Sequence, residues 1–200
     1  MKRYMIGTIV AIILVTPCIG FSVSNTQEKI SLWRQMAEEG SAPAQILFGY
    51  AYHTGNGVEK NYAEAAQWFR KAADQGLPLA QYMIGYLYFH GQGVRKDDTE
   101  AAQWFRKAAD QGLAPAQYDL GVAYLNGQGV NQDDIEAAQL FRKAADQGLA
   151  SAQYMIGHLY FNGQGFMKDK HTAKEWFGKA CDNGDQAACV WYRQLNYEGY

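Results

Sequence analysis

The residues of this chain that could carry out chemistry are few and lie far apart in the sequence. Its histidines are His53, His90, His158 and His171, and it has three cysteines. No two histidines form a His-x-x-x-His pattern, and no histidine stands near a cysteine pair at the spacing of a metal site. The sequence therefore predicts no metal ion and no cofactor.

Motifs for nucleophilic catalysis are missing as well. The sequence contains neither Gly-x-Ser-x-Gly nor Ser-x-x-Lys, which position the serine nucleophile in two common classes of acyl-transfer enzyme. Asp119 is unusual, because Met83 and Met155 stand 36 residues to either side of it. It is either a catalytic carboxylate or an exposed polar residue, and we favour the second interpretation.

The interval of 36 residues organises most of the chain. The segment from Ala65 to Leu77, AAQWFRKAADQGL, recurs unchanged from Ala101 to Leu113, and a third copy carries Leu140 in place of tryptophan. Repeats of this length indicate a stack of small structural units. The alignment of the chain on itself predicts four full units, 41–76, 77–112, 113–148 and 149–184, flanked by half units at 27–40 and 185–198.

The sequence of each unit predicts two helices separated by a glycine turn. In the first unit, helix A carries Ala44, Gly49 and Tyr52, and it ends at the turn Gly55-Asn-Gly57. Helix B then begins at a polar capping residue, and small and aromatic residues recur along it at i, i+3, i+4 and i+7. These positions hold Ala65, Trp68, Phe69 and Ala72 in the first unit.

A single helix pair cannot bury its own apolar face, whereas stacked pairs share a continuous core. The fold class that we predict is therefore all-α, an α/α solenoid of 36-residue helix-turn-helix repeats. It occupies residues 25–200 as one domain.

The whole pattern reads A-x-x-x-x-G-x-x-Y-x-x-G-x-G-V, followed by A-x-x-W-F-x-K-A-A-x-x-G. It resembles the Sel-one-like repeat (SLR) family, a relative of the tetratricopeptide repeats, over about residues 27 to 198. The resemblance implies a right-handed superhelix and a scaffold or adaptor function without catalysis. In the last half unit, Arg193 and Asn196 replace the glycine and tyrosine of helix A, which predicts a terminal cap with one solvated face.

Cys181 and Cys189 flank a predicted tight turn between antiparallel helices, where a disulfide is within reach. Two small buried thiols are the alternative. The surrounding segment is similar to the cysteine-rich secreted branch of the same family, which implies the disulfide. That branch also supplies the alternative function of a β-lactamase or penicillin-binding enzyme, although Ser-x-x-Lys is missing here.

Residues 1–24 predict a secretory signal peptide, because a basic start is followed by a short apolar segment and small residues. Cleavage is expected after residue 20 or 24. Lipidation at Cys18 and retention as a membrane anchor are the alternatives. We expect a periplasmic or secreted protein that makes no stable membrane insertion after cleavage. The formal net charge of −2 gives no reason to expect a nucleic-acid partner.

The expected partner is a protein or peptide, with an envelope glycan or a peptidoglycan-associated molecule as alternatives. Solenoids bind along the concave face that their first helices usually line. On helix A, the positions that vary from unit to unit fall on one side of the helix. Packing between adjacent helices A is the other interpretation of this stripe. The candidate binding residues are Leu47, Tyr50, Met83, Tyr86, His90, Asp119, Asn126, Met155, His158 and Asn162.

Overall fold

A computed structural model of the chain describes residues 25–200, and the signal peptide predicted at 1–24 lies outside them. The described residues form ten α-helices and no strand, so the predicted all-α fold is confirmed. The helices are α1 (Thr26–Glu38), α2 (Ala42–Thr54), α3 (Tyr62–Asp74), α4 (Pro78–His90), α5 (Asp98–Asp110), α6 (Ala114–Asn126), α7 (Asp134–Asp146), α8 (Ala150–Asn162), α9 (Lys170–Asp182) and α10 (Gln186–Tyr197).

The helices alternate between the two predicted types. Helices A are α2, α4, α6 and α8, and helices B are α3, α5, α7 and α9. The half units add one helix B at the start, α1, and one helix A at the end, α10. Each helix packs on its neighbours in sequence, which is the arrangement of a solenoid.

The helix ends follow from the residues predicted to form them. Each helix B begins at an Asn or Asp whose side chain accepts hydrogen bonds from backbone N–H groups of the first turn. In the first turn of α5, the Glu100 carboxylate accepts a 2.8 Å hydrogen bond from the Trp104 indole. Helices A end at glycines in the left-handed conformation, as at Gly91 with φ +63°.

Within each unit, the two helices meet where a phenylalanine of helix B lies on a glycine of helix A. A Cβ atom added at Gly85 would lie 2.9 Å from the Phe105 ring, and one at Gly157 would lie 2.6 Å from the Phe177 ring. These phenylalanines are almost fully buried. The glycine is required because any side chain would push the two helices apart. The contact recurs in all four units, at Gly49–Phe69, Gly85–Phe105, Gly121–Phe141 and Gly157–Phe177.

Between units, the turn after each helix A packs on the first turn of the preceding helix B. Gly93 has φ +71°, and a Cβ atom there would lie 2.2 Å from the backbone carbonyl of Tyr62. At Gly129 the same atom would lie 1.9 Å from the carbonyl oxygen of Asp98. These turns therefore require glycine twice over, for the backbone conformation and for space.

A second contact between units is a series of buried glutamines that the sequence analysis did not identify. Gln81 donates a hydrogen bond to the carbonyl of Ala73, and its own side-chain oxygen accepts a 2.8 Å hydrogen bond from Gln111. These two hydrogen bonds give the buried Gln81 side-chain amide partners from two successive helices B. It recurs at Gln45, Gln117 and Gln153, where the outer partners are Gln75, Gln147 and Asn183.

The disulfide occupies the next position of this series. Cys189 follows Gln153 by 36 residues, and Cys181 follows Ala145 by the same interval. The two cysteines are bonded to each other, with their Cα atoms 4.6 Å apart. A covalent bond thus joins α9 to α10 where a glutamine–carbonyl hydrogen bond joins the helices of the other units. Arg193 and Asn196 are exposed on α10, in agreement with the predicted cap.

We expect Gly93→Ala to destabilise the protein by about 3 kcal/mol or more, because the new side chain meets the backbone of Tyr62 in addition to the strain of a positive φ. Gly112→Ala is the matched control. Gly112 has φ +87° with open space around it, so this variant should lose only about 1–2 kcal/mol. Equilibrium urea unfolding measures both losses, and equal losses would contradict the role of Gly93 between units.

We expect peptide mapping without reduction to recover Cys181 and Cys189 in one cross-linked product. Reduction should lower the free energy of unfolding by about 2–3 kcal/mol, the loop-closure contribution of a short bridge. The double variant Cys181→Ala, Cys189→Gln restores the residues that the other units carry, so a reductant should not change its stability. Alkylation of both thiols before any reduction would show that the disulfide does not form.

Candidate functional site

The structure places nine of the ten candidate residues of helix A where solvent reaches them. His90, Asn126 and Asn162 are exposed, and the others are half-buried. Met83 is the exception. Only 2% of its surface is exposed, and it belongs to the core cluster against which Tyr50 and Tyr86 pack. A long flexible thioether fills core space well, so the assignment of Met83 to a binding surface was wrong. The helix A face is hereafter the set Leu47, Tyr50, Tyr86, His90, Asp119, Asn126, Met155, His158 and Asn162.

Aromatic rings connect the helix A face across the first two units. The Tyr86 ring lies 4.2 Å from the His90 ring and 6.4 Å from the His53 ring, which in turn stacks at 6.4 Å on Tyr50. Burial lowers the pKa of His53, the neighbouring Gln92 side chain opposes this shift, and the Lys60 charge adds to it. The histidine is therefore neutral near pH 7 and behaves as a ring that packs.

Asp119 lies among tyrosines in the middle of the face. Its Oδ2 atom accepts a 3.0 Å hydrogen bond from the Tyr82 hydroxyl across the boundary between two units. Burial raises the pKa of Tyr82, Tyr86 and Tyr118, and the negative charge of Asp119 raises each of them further. Asp119 is thus half-buried and hydrogen-bonded, which corrects the interpretation of it as a simply exposed polar residue.

A second aromatic group lies at the far end of the face. The His158 ring is 4.5 Å from Tyr154, 5.1 Å from Phe177 and 5.1 Å from Trp191 of α10. Burial lowers the pKa of His158. This part of the face therefore packs against its neighbours and also keeps an accessible edge, as the half-buried His158 shows.

Three tyrosines of helices A pack against helices B beside the helix A face. Tyr82, Tyr118 and Tyr154 each lie 5.5 to 5.8 Å from the phenylalanine of their own helix B, centroid to centroid. These distances suit tilted aromatic pairs. These tyrosine–phenylalanine pairs lie beside the helix A face and recur in three units.

The opposite side of the solenoid is charged, but many of its cations hold units together. The Arg70 guanidinium lies 4.9 Å from the Trp104 ring of the next unit and donates a hydrogen bond to the Tyr88 hydroxyl. Within α3, the Lys71 ammonium lies 3.9 Å from the Trp68 ring of the same helix. Such cation–π contacts give these residues a structural role. The helix A face also varies from unit to unit, and its side chains are accessible to solvent.

Over residues 25–200, no three histidine, cysteine, aspartate or glutamate side chains come together as a metal site would require. The described helices include none long and apolar enough to cross a membrane.

Comparison with known proteins matches the Sel1 repeat family to four consecutive segments, 42–77, 78–113, 114–149 and 150–185. These segments are offset by one residue from the units read from the sequence. Sel1 repeats generally mediate protein–protein interactions, and proteins built from them are generally non-enzymatic scaffolds. No curated protein matches the chain.

Solved structures share this architecture. The chain is 42% identical to c5321, a protective antigen present in uropathogenic Escherichia coli strains displaying an SLR fold, with a TM-score of 0.80 over 84% of this chain and 35% of that one. It is 37% identical to a Sel1 repeat protein from Oxalobacter formigenes, with a TM-score of 0.77 over 86% of this chain and 49% of that one. Helicobacter pylori cysteine rich protein B is 26% identical, with a TM-score of 0.53 over 68% of this chain and 98% of that one.

The chain thus spans less than half the length of the first two of these proteins. Four family segments in register cover more than half of its residues, and their boundaries coincide with the helix pairs of the structure. The chain belongs to the Sel1 repeat family.

Proposed function

We propose that the protein is an exported scaffold that binds a protein or peptide partner along the helix A face. The observation that carries this proposal is a contrast within the repeat. The glycine–phenylalanine contacts of the core recur in every unit, whereas the accessible side chains of the helix A face change from unit to unit. A packing residue meets the same neighbours each time, but a residue that contacts a partner does not.

The composition of the helix A face suits a protein or peptide ligand. Tyrosine and histidine rings offer large contact areas with little side-chain entropy to lose, and Asn126 and Asn162 offer amide groups that can bond a peptide backbone. Packed helices lie about 8–10 Å apart, so four helices A extend over roughly 30 Å. An extended peptide of about ten residues matches that length.

Two features support export. Residues 1–24 have the basic start, apolar segment and small-residue exit of a secretory signal, and Cys181 and Cys189 are bonded as is common in oxidising compartments. We therefore infer that the mature chain acts in the periplasm or outside the cell.

We expect the double variant Tyr86→Ala, His90→Ala to lose partner capture while it keeps most of its stability, because both side chains are accessible on the helix A face. The double variant Gln67→Ala, Gln103→Ala, on the exposed side of helices B, is the matched control. Quantitative mass spectrometry of proteins captured from an envelope extract compares the two double variants with wild type. Capture that depends on Gln67 and Gln103, and not on Tyr86 and His90, would contradict the proposal.

Thermal unfolding of the same variants, together with Trp68→Ala, separates an effect on binding from an effect on folding. Trp68→Ala removes a buried ring from the core and should cost roughly 3–5 kcal/mol. The double variant of the helix A face should lose far less. Since Tyr86 packs on its neighbours in the structure, a loss of about 1 kcal/mol is expected for it rather than none.

We expect the exported protein to begin at Phe21 or Asn25. Intact-mass spectrometry of protein recovered from the envelope or the medium measures this directly. A mass that includes Met1 to Gly20 would contradict cleavage, and a mass that includes acylated Cys18 would show a lipoprotein instead.

A further inference from the structure

The first helix of the described chain exposes apolar side chains on one side. α1 has the register of a helix B, and its Leu32 and Met36 precede Trp68 and Ala72 by 36 residues. Trp68 and Ala72 are buried in the core, whereas 44% of the Leu32 surface and 40% of the Met36 surface are exposed. Within residues 25–200 no helix precedes α1, so it is not paired there with a helix A of its own unit.

The other side of α1 is fixed to the solenoid. Ile30 and Ala37 are buried in one cluster with Phe48 of α2 and Trp68 of α3. Their positions on the helix are turned away from those of the exposed apolar pair. The helix is therefore held in place, and its exposed side faces away from the first full unit.

The exposed apolar pair lies between two opposite charges. Lys29 precedes Leu32 by three residues, and both are exposed. Glu39 follows Met36 by three residues and is exposed as well, and its carboxylate accepts a 2.9 Å hydrogen bond from Gln35. Side chains at this spacing are neighbours on a helix. The result is one stripe that is positive at its N-terminal end, apolar in the middle and negative at its C-terminal end.

A second copy of the chain in antiparallel orientation matches this stripe along its whole length. Because the spacing is symmetric, each Leu32 meets Met36 of the other copy, and each Lys29 meets Glu39 of the other copy. A parallel orientation would instead place like charges side by side. Both charges also stand at the unfavourable end of their own helix dipole, and an antiparallel copy brings the opposite dipole end beside each of them.

The far end of the solenoid does not fit the stripe. α10 is a helix A, and its Arg193 occupies the register of Gly157. In the full units, a helix A offers a glycine to the phenylalanine of its helix B. Trp33 of α1 occupies the register of Phe69. An arginine opposite a tryptophan leaves no room for that close contact, so continuation of the solenoid from copy to copy is disfavoured.

We propose that the mature protein forms a symmetric dimer through α1, in which the stripe Lys29, Leu32, Met36 and Glu39 packs antiparallel on the same stripe of a second copy. The inference goes beyond the proposed partner binding, uses a different surface, and takes the signal peptide to be removed. One helix from each copy buries less than the roughly 1,200 Å² of a standard interface, so the dimer is weak, with a dissociation constant on the order of 10–100 μM. It presents two helix A faces to a partner.

Sedimentation velocity of the mature protein, over a concentration series that spans the micromolar range, tests this inference. Lys29→Glu makes the stripe negative at both ends, and Glu39→Lys makes it positive at both ends. Each variant should weaken the dimer about tenfold, because two opposite-charge pairs become like-charge pairs. An equimolar mixture of the two variants restores both opposite-charge pairs across the interface and should recover the wild-type affinity. Both sites are exposed, so the thermal stability of the monomer should stay unchanged.

Val190→Glu is the control at the other end of the solenoid, where it places a charge on the exposed side of α10, and it should leave the dimer unchanged. A wild-type protein that stays monomeric throughout the series would overturn the inference. So would a dimer that Val190→Glu disrupts while Lys29→Glu does not. Charge variants that weaken the dimer without recovery in the mixture would refute the antiparallel pairing. Partner capture does not enter this measurement, so its failure leaves the proposed function standing.

Discussion

The fold depends on one contact, the stacking of a helix B phenylalanine on the bare backbone of a helix A glycine. The contact sets how closely the two helices of a unit approach, because a Cβ atom at that glycine would stand 2.6 to 2.9 Å from the ring. Burial of a phenylalanine contributes on the order of 2–3 kcal/mol, and it requires that closeness. The alanines of helix B surround the same contact, and they too repeat without change in the first three full units.

Each helix of the described residues packs mainly on its neighbours in sequence, and three kinds of contact between units recur along the solenoid. The turn glycines lie on the preceding helix B, the buried glutamines bond two successive helices B, and the arginines of helix B lie over aromatic rings of the next unit. Stability in such an array is close to a sum of nearest-neighbour terms. After the fourth unit, the disulfide between Cys181 and Cys189 joins α9 to α10 at the position where a buried glutamine joins the helices of the other units.

Most of the framework could be predicted from the sequence, because identical spacing in four copies leaves few other solutions. The helix ends followed from glycine and capping residues, and the core followed from Trp68, Phe69 and their copies. How deeply each side chain is buried was harder to predict. Periodicity gives the side of a helix on which a residue lies, but not how far its neighbours cover it. For that reason the structure differs from the sequence-based expectation at Met83, which is buried, and at Asp119, which is half-buried. The glutamine series was missed although its signal was present, since one polar residue recurs at a fixed place on an otherwise apolar helix.

The central claim is that a repeating core leaves the changing side chains of helices A for a partner. Site-specific photocrosslinking tests it most directly. A benzophenone amino acid is placed at position 122 of α6, in the register of Tyr86, and separately at position 139 of α7, on the exposed side of helix B. If helices A carry the binding surface, position 122 forms a covalent adduct with a partner in intact cells and position 139 does not. An adduct at position 139 with none at position 122 would contradict it.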